Sequence, residues 1–178
     1  MQKVVFLDRD DTIVKNVPYC SRPEDLHVFD FSGKAIKKLN DAGFLTFIVT
    51  NQSGINRGFL DRDDLEKIHE KLNSSLKKAG AHIDEIFFCP HRPDESCACR
   101  KPEIGMFIEA SKKYEIFKDE SFMIGDSESD VLAGKNFGLK TILIKKETSY
   151  SEILNPDFEA KDLLDAVDNY ILRRWKKQ

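Results

Sequence analysis

The chain has 178 residues, with 40% hydrophobic and 33% charged side chains and a formal net charge of -3. That size matches one domain with a sizeable core, and the composition excludes a disordered or membrane-spanning chain. The small negative charge excludes a global pull toward nucleic acid or anionic lipid. The first apolar run lacks a basic lead segment and breaks at Asp8, which argues against a signal peptide. The expectation is a cytoplasmic monomer acting on a small metabolite, with no nucleic-acid or membrane partner. The basic tail Arg173-Arg174-Trp175-Lys176-Lys177 reads as a solvated end.

Taken in chain order, residues 3–8 read as a buried strand that ends in Asp8-Arg9-Asp10-Asp11-Thr12. Residues 15–31 form a loop carrying Pro18 and Pro23. Ser32 is placed as the cap of a helix through Asp41, ended by Gly43. The apolar run from Phe44 to Val49 is a second strand, followed by turn chemistry at Thr50-Asn51-Gln52-Ser53-Gly54. Asp61 caps a helix reaching Ala79, with Leu65, Ile68, Leu72 and Leu76 on one face. Residues 83–88 are a strand, 89–103 a Cys-, Pro- and charge-rich loop, and 105–114 a helix. A strand at 122–124 ends in Gly125-Asp126, a helix runs over 129–137, a strand over 141–144, and a last helix over 160–173. The alternation predicts an α/β, Rossmann-like doubly wound, mostly parallel sheet with helices on both faces. Residues 1–178 are read as a single domain.

The polar clusters follow strands, and a parallel sheet gathers such ends on one edge. Asp8 is the candidate nucleophile toward a phosphate ester, and Asp10, two residues on, the candidate acid and then base. Read alone, the pair is also compatible with an acidic turn. Magnesium would be held by Asp8, the main-chain carbonyl of Asp10, and Asp126, with Asp130 either behind that set or an ordinary helix-start acid. Thr50 and the amides after it suit phosphate oxygens. Lys101 supplies a positive charge and Arg100 a forked donor, if the two are not simply surface cations. Thr12 is expected to brace the loop by hydrogen bonding. Cys89, His91, Cys97 and Cys99 form two close pairs across a short loop, a full tetrahedral set for structural zinc, whereas Cys20 reads as an inert thiol apart.

Together Asp8-Arg9-Asp10-x-Thr12, the Thr50 segment, Lys101 and Gly125-Asp126-x-x-x-Asp130 resemble the haloacid dehalogenase superfamily of phosphatases, in that family's order. The Cys/His loop narrows the resemblance to the branch of heptose 1,7-bisphosphate phosphatases and histidinol-phosphate phosphatase domains, which carry zinc in a loop and no separate cap domain. The resemblance implies catalytic roles for Asp8, Asp10, Thr50 and Lys101. It implies substrate contacts for Asn16, Val17, Pro18, Tyr19, Thr50, Asn51, Gln52, Ser53, Arg100 and Lys101, with Arg57 facing the sugar phosphate. Two positions depart from the branch: Asp11 stands for its usual glycine and Ser127 for its usual lysine. The expected activity is magnesium-dependent hydrolysis of a small sugar phosphate, the C7 phosphate of D-glycero-D-manno-heptose 1,7-bisphosphate first. The alternatives are histidinol phosphate as substrate and, from another class, a phospho-accepting signalling or binding module.

Overall fold

The computed structural model describes residues 1–145 and 155–175. Lys176 and Lys177 of the basic tail lie outside that range. Six strands form one sheet in the order β3-β2-β1-β4-β5-β6: β1 Val4–Leu7, β2 Leu45–Asn51, β3 Glu85–Cys89, β4 Phe122–Gly125, β5 Lys140–Ile144 and β6 Phe158–Ala160. Every neighbouring pair is parallel. The helices are α1 Asp30–Asp41, α2 Arg62–Lys78, α3 Gly105–Lys113, α4 Glu128–Phe137, α5 Leu163–Ala166 and α6 Leu172–Trp175. A π-helical turn, Val167–Ile171, joins the last two.

The continuous apolar character of β1 follows from burial on both faces. Val5 and Leu7 point into a core with Ile36 and Leu39 of α1, Leu65, Ile68 and Leu72 of α2, and Leu163 of α5. Val4 and Phe6 point the other way, into a core with Met106 and Phe107 of α3 and Phe137 of α4. There the Phe6 ring lies 4.8 Å from Phe107 and 5.5 Å from Phe47, between centroids. Helices therefore cover both faces, as the alternation predicted.

Two boundaries differ from the sequence reading. Helix α1 starts at Asp30 with Phe29 in the cap position. The Ser32 hydroxyl instead donates to the Ile13 carbonyl at 2.7 Å, tying the helix to the loop after β1. The expected helix over 160–173 begins only at Leu163, because Phe158 to Ala160 pair with Ile142 to Ile144 as β6. Asp162, not Ala160, starts it, its carboxylate accepting from the Asp165 amide at 2.8 Å. Asp61 caps α2 as expected, with Asp64 completing a reciprocal capping box.

The chain moves outward from β1 to β2 and β3, then returns to β4 on the other side of β1. That reversal opens a crevice at the carboxyl ends of β1 and β4, where open parallel sheets hold ligands. Asp8 follows β1 and Asp126 follows β4.

Candidate active site

A cavity of about 410 Å³ occupies this crevice, within the range of small-ligand sites. It is lined by Asp8, Asp10, Asn16, Val17, Pro18, Tyr19, Thr50, Asn51, Gln52, Ser53, Lys101 and Asp126, all singled out from sequence, and also by Arg9, Asp11, Cys20, Gly54, Ser127, Ser129 and Asp130.

Asp8 continues the ladder of β1 past its last residue, its amide donating to the Ile124 carbonyl at 2.9 Å. The side chain meets Lys101, whose Nζ donates to Asp8 Oδ1 at 2.6 Å, Asp130 Oδ1 at 2.5 Å and the Val49 carbonyl at 2.7 Å. All three ammonium protons are thus used, and Lys101 is only 3% exposed. Burial works against its charge, but the Asp130 and Asp8 carboxylates outweigh that and hold it above the ordinary lysine range. For Asp8 the balance is reversed. Burial foremost, with the Asp130 and Asp10 carboxylates, pushes its carboxyl up to about 8 against the downward pull of Lys101. One ammonium cannot neutralise two buried carboxylates. Lys101 is the fixed positive charge of the site, and the charge on Asp8 calls for a second cation.

Oxygens of Asp8, Asp126 and Asp130 gather within 4.8 Å of one another. An all-oxygen set of this size suits a hard cation such as magnesium, whose opposite ligands stand about 4.2 Å apart. Asp130 is already engaged through both oxygens, Oδ1 by Lys101 and Oδ2 by the amide and hydroxyl of Ser127 at 3.1 and 2.6 Å. It stands as the helix-start acid that the sequence allowed, in the capping box of α4, and it also holds Lys101, a contact the sequence reading did not assign. Gly125 makes that possible, since a Cβ there would lie 2.3 Å from the Asp130 carboxylate. The Asp10 carboxylate lies outside the acid group. It accepts from Arg9 Nε and Nη2 at 3.0 to 3.3 Å and from Gln52 Nε2 at 3.0 Å.

Arg9 is the residue that sequence reasoning missed. It is 1% exposed and grips both oxygens of Asp10 as a fork. Its position between two acids was the one available signal. Gln52 extends the network, donating to Thr50 Oγ1 at 2.9 Å. Thr12 does not brace the loop as expected, since its buried hydroxyl has no partner among the described residues. Cys20 is buried and lies apart from the Cys/His group, and it also lines the cavity.

Arg57 and Arg100 stand outside the lining. The Arg57 guanidinium lies 5.9 Å from the Tyr19 ring centroid. Arg100 donates to the His91 carbonyl at 3.1 Å and borders an adjacent cleft with Arg92, Pro93 and Ser96.

The Cys/His loop forms one compact group. The sulfurs of Cys89, Cys97 and Cys99 lie 3.1 to 3.5 Å from one another, His91 Nδ1 lies 3.4 Å from the Cys89 sulfur and 3.3 Å from that of Cys99, and all four atoms fall within 4.8 Å. These separations are far longer than a disulfide of about 2.05 Å and close to the edge of about 3.7 Å for a zinc–thiolate tetrahedron. All three cysteines are unbridged. Three sulfurs and one imidazole nitrogen are a donor set for zinc. Gly105 lets α3 start against this loop, its amide donating to the Ala98 carbonyl at 2.9 Å where a Cβ would lie 2.4 Å from that oxygen.

Known proteins resemble this chain in sequence and in fold. A HAD-hydrolase-like family model matches residues 98–168. D-glycero-beta-D-manno-heptose-1,7-bisphosphate 7-phosphatase of Helicobacter pylori strain 26695 is 40% identical over 170 residues, covering 93% of this chain and 97% of that protein. The histidine biosynthesis bifunctional protein HisB of Campylobacter jejuni is 37% identical over 158 residues, covering 86% of this chain but 44% of that protein. The crystal structure of D,D-heptose 1,7-bisphosphate phosphatase from B. bronchiseptica, complexed with magnesium and phosphate, superposes with a TM-score of 0.87 at 29% identity, covering 97% of this chain and 99% of that one. With a 40% identical relative spanned almost end to end, the chain belongs to the heptose-1,7-bisphosphate 7-phosphatase family of haloacid-dehalogenase-like hydrolases.

Proposed function

We propose that this chain is a magnesium-dependent phosphatase that removes the C7 phosphate of D-glycero-D-manno-heptose 1,7-bisphosphate. The observation that carries the reading is the placement of Asp8. It stands at the carboxyl end of the central strand, in a ligand-sized cavity, between a buried ammonium and two further acids.

Asp8 attacks phosphorus, forming an aspartyl-phosphate as the bond to the sugar oxygen breaks. Asp10 gives its proton to that oxygen, then takes one from the water that attacks the phosphorus. The Asp8–phosphorus bond breaks and inorganic phosphate leaves. Thr50 and the amides of Asn51 and Ser53 hold the phosphoryl oxygens, and Lys101 faces them with its positive charge. Asp8, the Asp10 carbonyl and Asp126 would hold magnesium, which supplies positive charge against the phosphate and the carboxylates. Zinc at Cys89, His91, Cys97 and Cys99 is structural in this reading, having no open position. Residues 1–178 act as one domain and as a monomer in the cytoplasm. None of the described helices is long and apolar enough to cross a membrane.

The test is steady-state release of phosphate with magnesium, from both anomers of the heptose bisphosphate and from histidinol phosphate. A clear preference for a heptose bisphosphate, lost in Asp8→Asn, is the expected result. Comparable turnover of histidinol phosphate overturns the substrate. Unchanged function in Asp8→Asn overturns the enzyme reading in favour of a binding module, and a long-lived aspartyl-phosphate would favour a signalling module.

A further inference from the structure

The wall of the cavity formed by Asn16 to Tyr19 is bounded by two non-glycine residues with left-handed backbone, Asp11 at φ 56° and Tyr19 at φ 50°. That conformation costs a side-chain-bearing residue energy and persists only where surrounding contacts impose it. Both residues show such contacts. The Asp11 carboxylate accepts from the Asn16 amide at 3.0 Å, and its own amide donates to the Val14 carbonyl at 2.7 Å. The Tyr19 ring stacks on Phe59 at 4.5 Å between centroids, with an interplanar angle of 26°. It also packs against Gly54, where a Cβ would meet Tyr19 Cδ1 at 3.3 Å.

We propose that Asp11 is a positioning residue for substrate selection: its carboxylate straps the Asn16 amide and so holds the Asn16–Tyr19 wall in the shape that receives the leaving group. The Asp8–Lys101 end of the cavity meets the phosphoryl group, which every phosphate ester shares. This wall stands at the part of the cavity left for the alcohol, where esters differ. An aspartate is among the side chains that best tolerate left-handed backbone, and its carboxylate can also bond back to an amide a few residues on. The inference rests on the phosphatase reading.

The experiment compares Asp11→Gly, which suits the backbone but removes the strap, with Asp11→Asn, which keeps both the backbone tolerance and an acceptor oxygen. The readout is the ratio of kcat/KM for the heptose bisphosphate to kcat/KM for p-nitrophenyl phosphate, with amide hydrogen exchange at Asn16 measured alongside. The expected result is a fall of about tenfold in that ratio for Asp11→Gly, carried by KM, with faster exchange at Asn16 and both effects restored in Asp11→Asn. A tenfold ratio corresponds to about 1.4 kcal/mol of lost discrimination. Equal losses on both substrates, an unchanged ratio, unchanged exchange, or Asp11→Asn behaving as Asp11→Gly each overturns the proposal. Absence of turnover of every phosphate ester by the unmodified protein would instead overturn the phosphatase reading.

Discussion

Asn51 and Lys101, fifty residues apart in sequence, hold each other by two hydrogen bonds: Asn51 Nδ2 donates to the Lys101 carbonyl at 3.1 Å, and the Lys101 amide donates to Asn51 Oδ1 at 3.0 Å. The pair fixes the backbone of Lys101 against the end of β2, so the ammonium enters the site from an anchored base. Removing the amide in Asn51→Ala leaves a part-buried donor and acceptor unpaired, at a cost of about 1–3 kcal/mol each. The expected outcome is a Tm lowered by several degrees and kcat lowered about tenfold, measured by thermal unfolding and phosphate release. Lys101→Met should cost more, on the order of 100-fold or above in kcat, because Asp8 and Asp130 then face each other without the cation. If Asn51→Ala retains full kcat, the anchoring role is wrong.

Asp10→Asn separates the two proton transfers assigned to Asp10. p-Nitrophenolate leaves without needing a proton, so the first step should survive with this substrate. The second step has lost its base. A burst of close to one equivalent of nitrophenol per active site, followed by near-stalled turnover, is expected in rapid mixing experiments. The heptose bisphosphate, with a poor alkoxide leaving group, should show no burst. Linear nitrophenol release without a burst would assign the base to another residue.

The features legible in sequence were those with a local signature. β1 and β2 showed as apolar runs because both of their faces are buried, and the capped helix α2 showed through Asp61 and its spacing of Leu65, Ile68, Leu72 and Leu76. Asp8, Asp126 and Lys101 were legible because each carries a charge just after an apolar run or a turn. The strand β6 was not, since three residues give no period and their pairing partner lies sixteen residues back at Ile142. Arg9 and Asn51 acquire their roles only from burial and from partners fixed by the fold. An arginine between two aspartates looks like a surface charge until burial shows otherwise. The position of Arg100 was also beyond sequence, because its contact with the His91 carbonyl depends on how the Cys/His loop closes.

That loop provides the third prediction. The Gln52 main-chain amide donates to the Cys89 carbonyl at 2.7 Å, so the first residue of the Cys/His group is tied to the segment that holds Asp10 and Thr50. The loop 89–99 has little apolar content, and structural zinc contributes on the order of 10 kcal/mol in apparent binding energy. Stripping the protein with a chelator should release about one zinc per chain by elemental analysis and lower Tm by about 10 °C or more. Activity should fall with it and return on adding zinc, but not on adding magnesium alone. Cys97→Ser should reproduce the loss. A stripped protein with unchanged Tm would show that the four ligand atoms fold without metal.

His69, on α2, has an Nε2 atom that is buried without a partner among the described residues. Burial first, and then the charge of Arg9, hold its pKa down at about 4 against an ordinary value of 6.5. The unfolded chain therefore binds a proton here below 6.5, while the folded chain does not until about 4. Across that window unfolding takes up protons, so stability is complete above 6.5 and is lost as pH falls toward 4, by up to about 3 kcal/mol. His69→Leu removes this group from both states. Carboxylates add their own acid dependence, but they do so equally in the two proteins, and the difference between them isolates His69. Urea unfolding at pH 7.5 and pH 4.5 should show a stability loss larger in the unmodified chain than in His69→Leu by that amount. Identical losses would mean that the imidazole accepts its proton in the folded state as readily as in the unfolded one, and that Arg9 exerts no pressure on it.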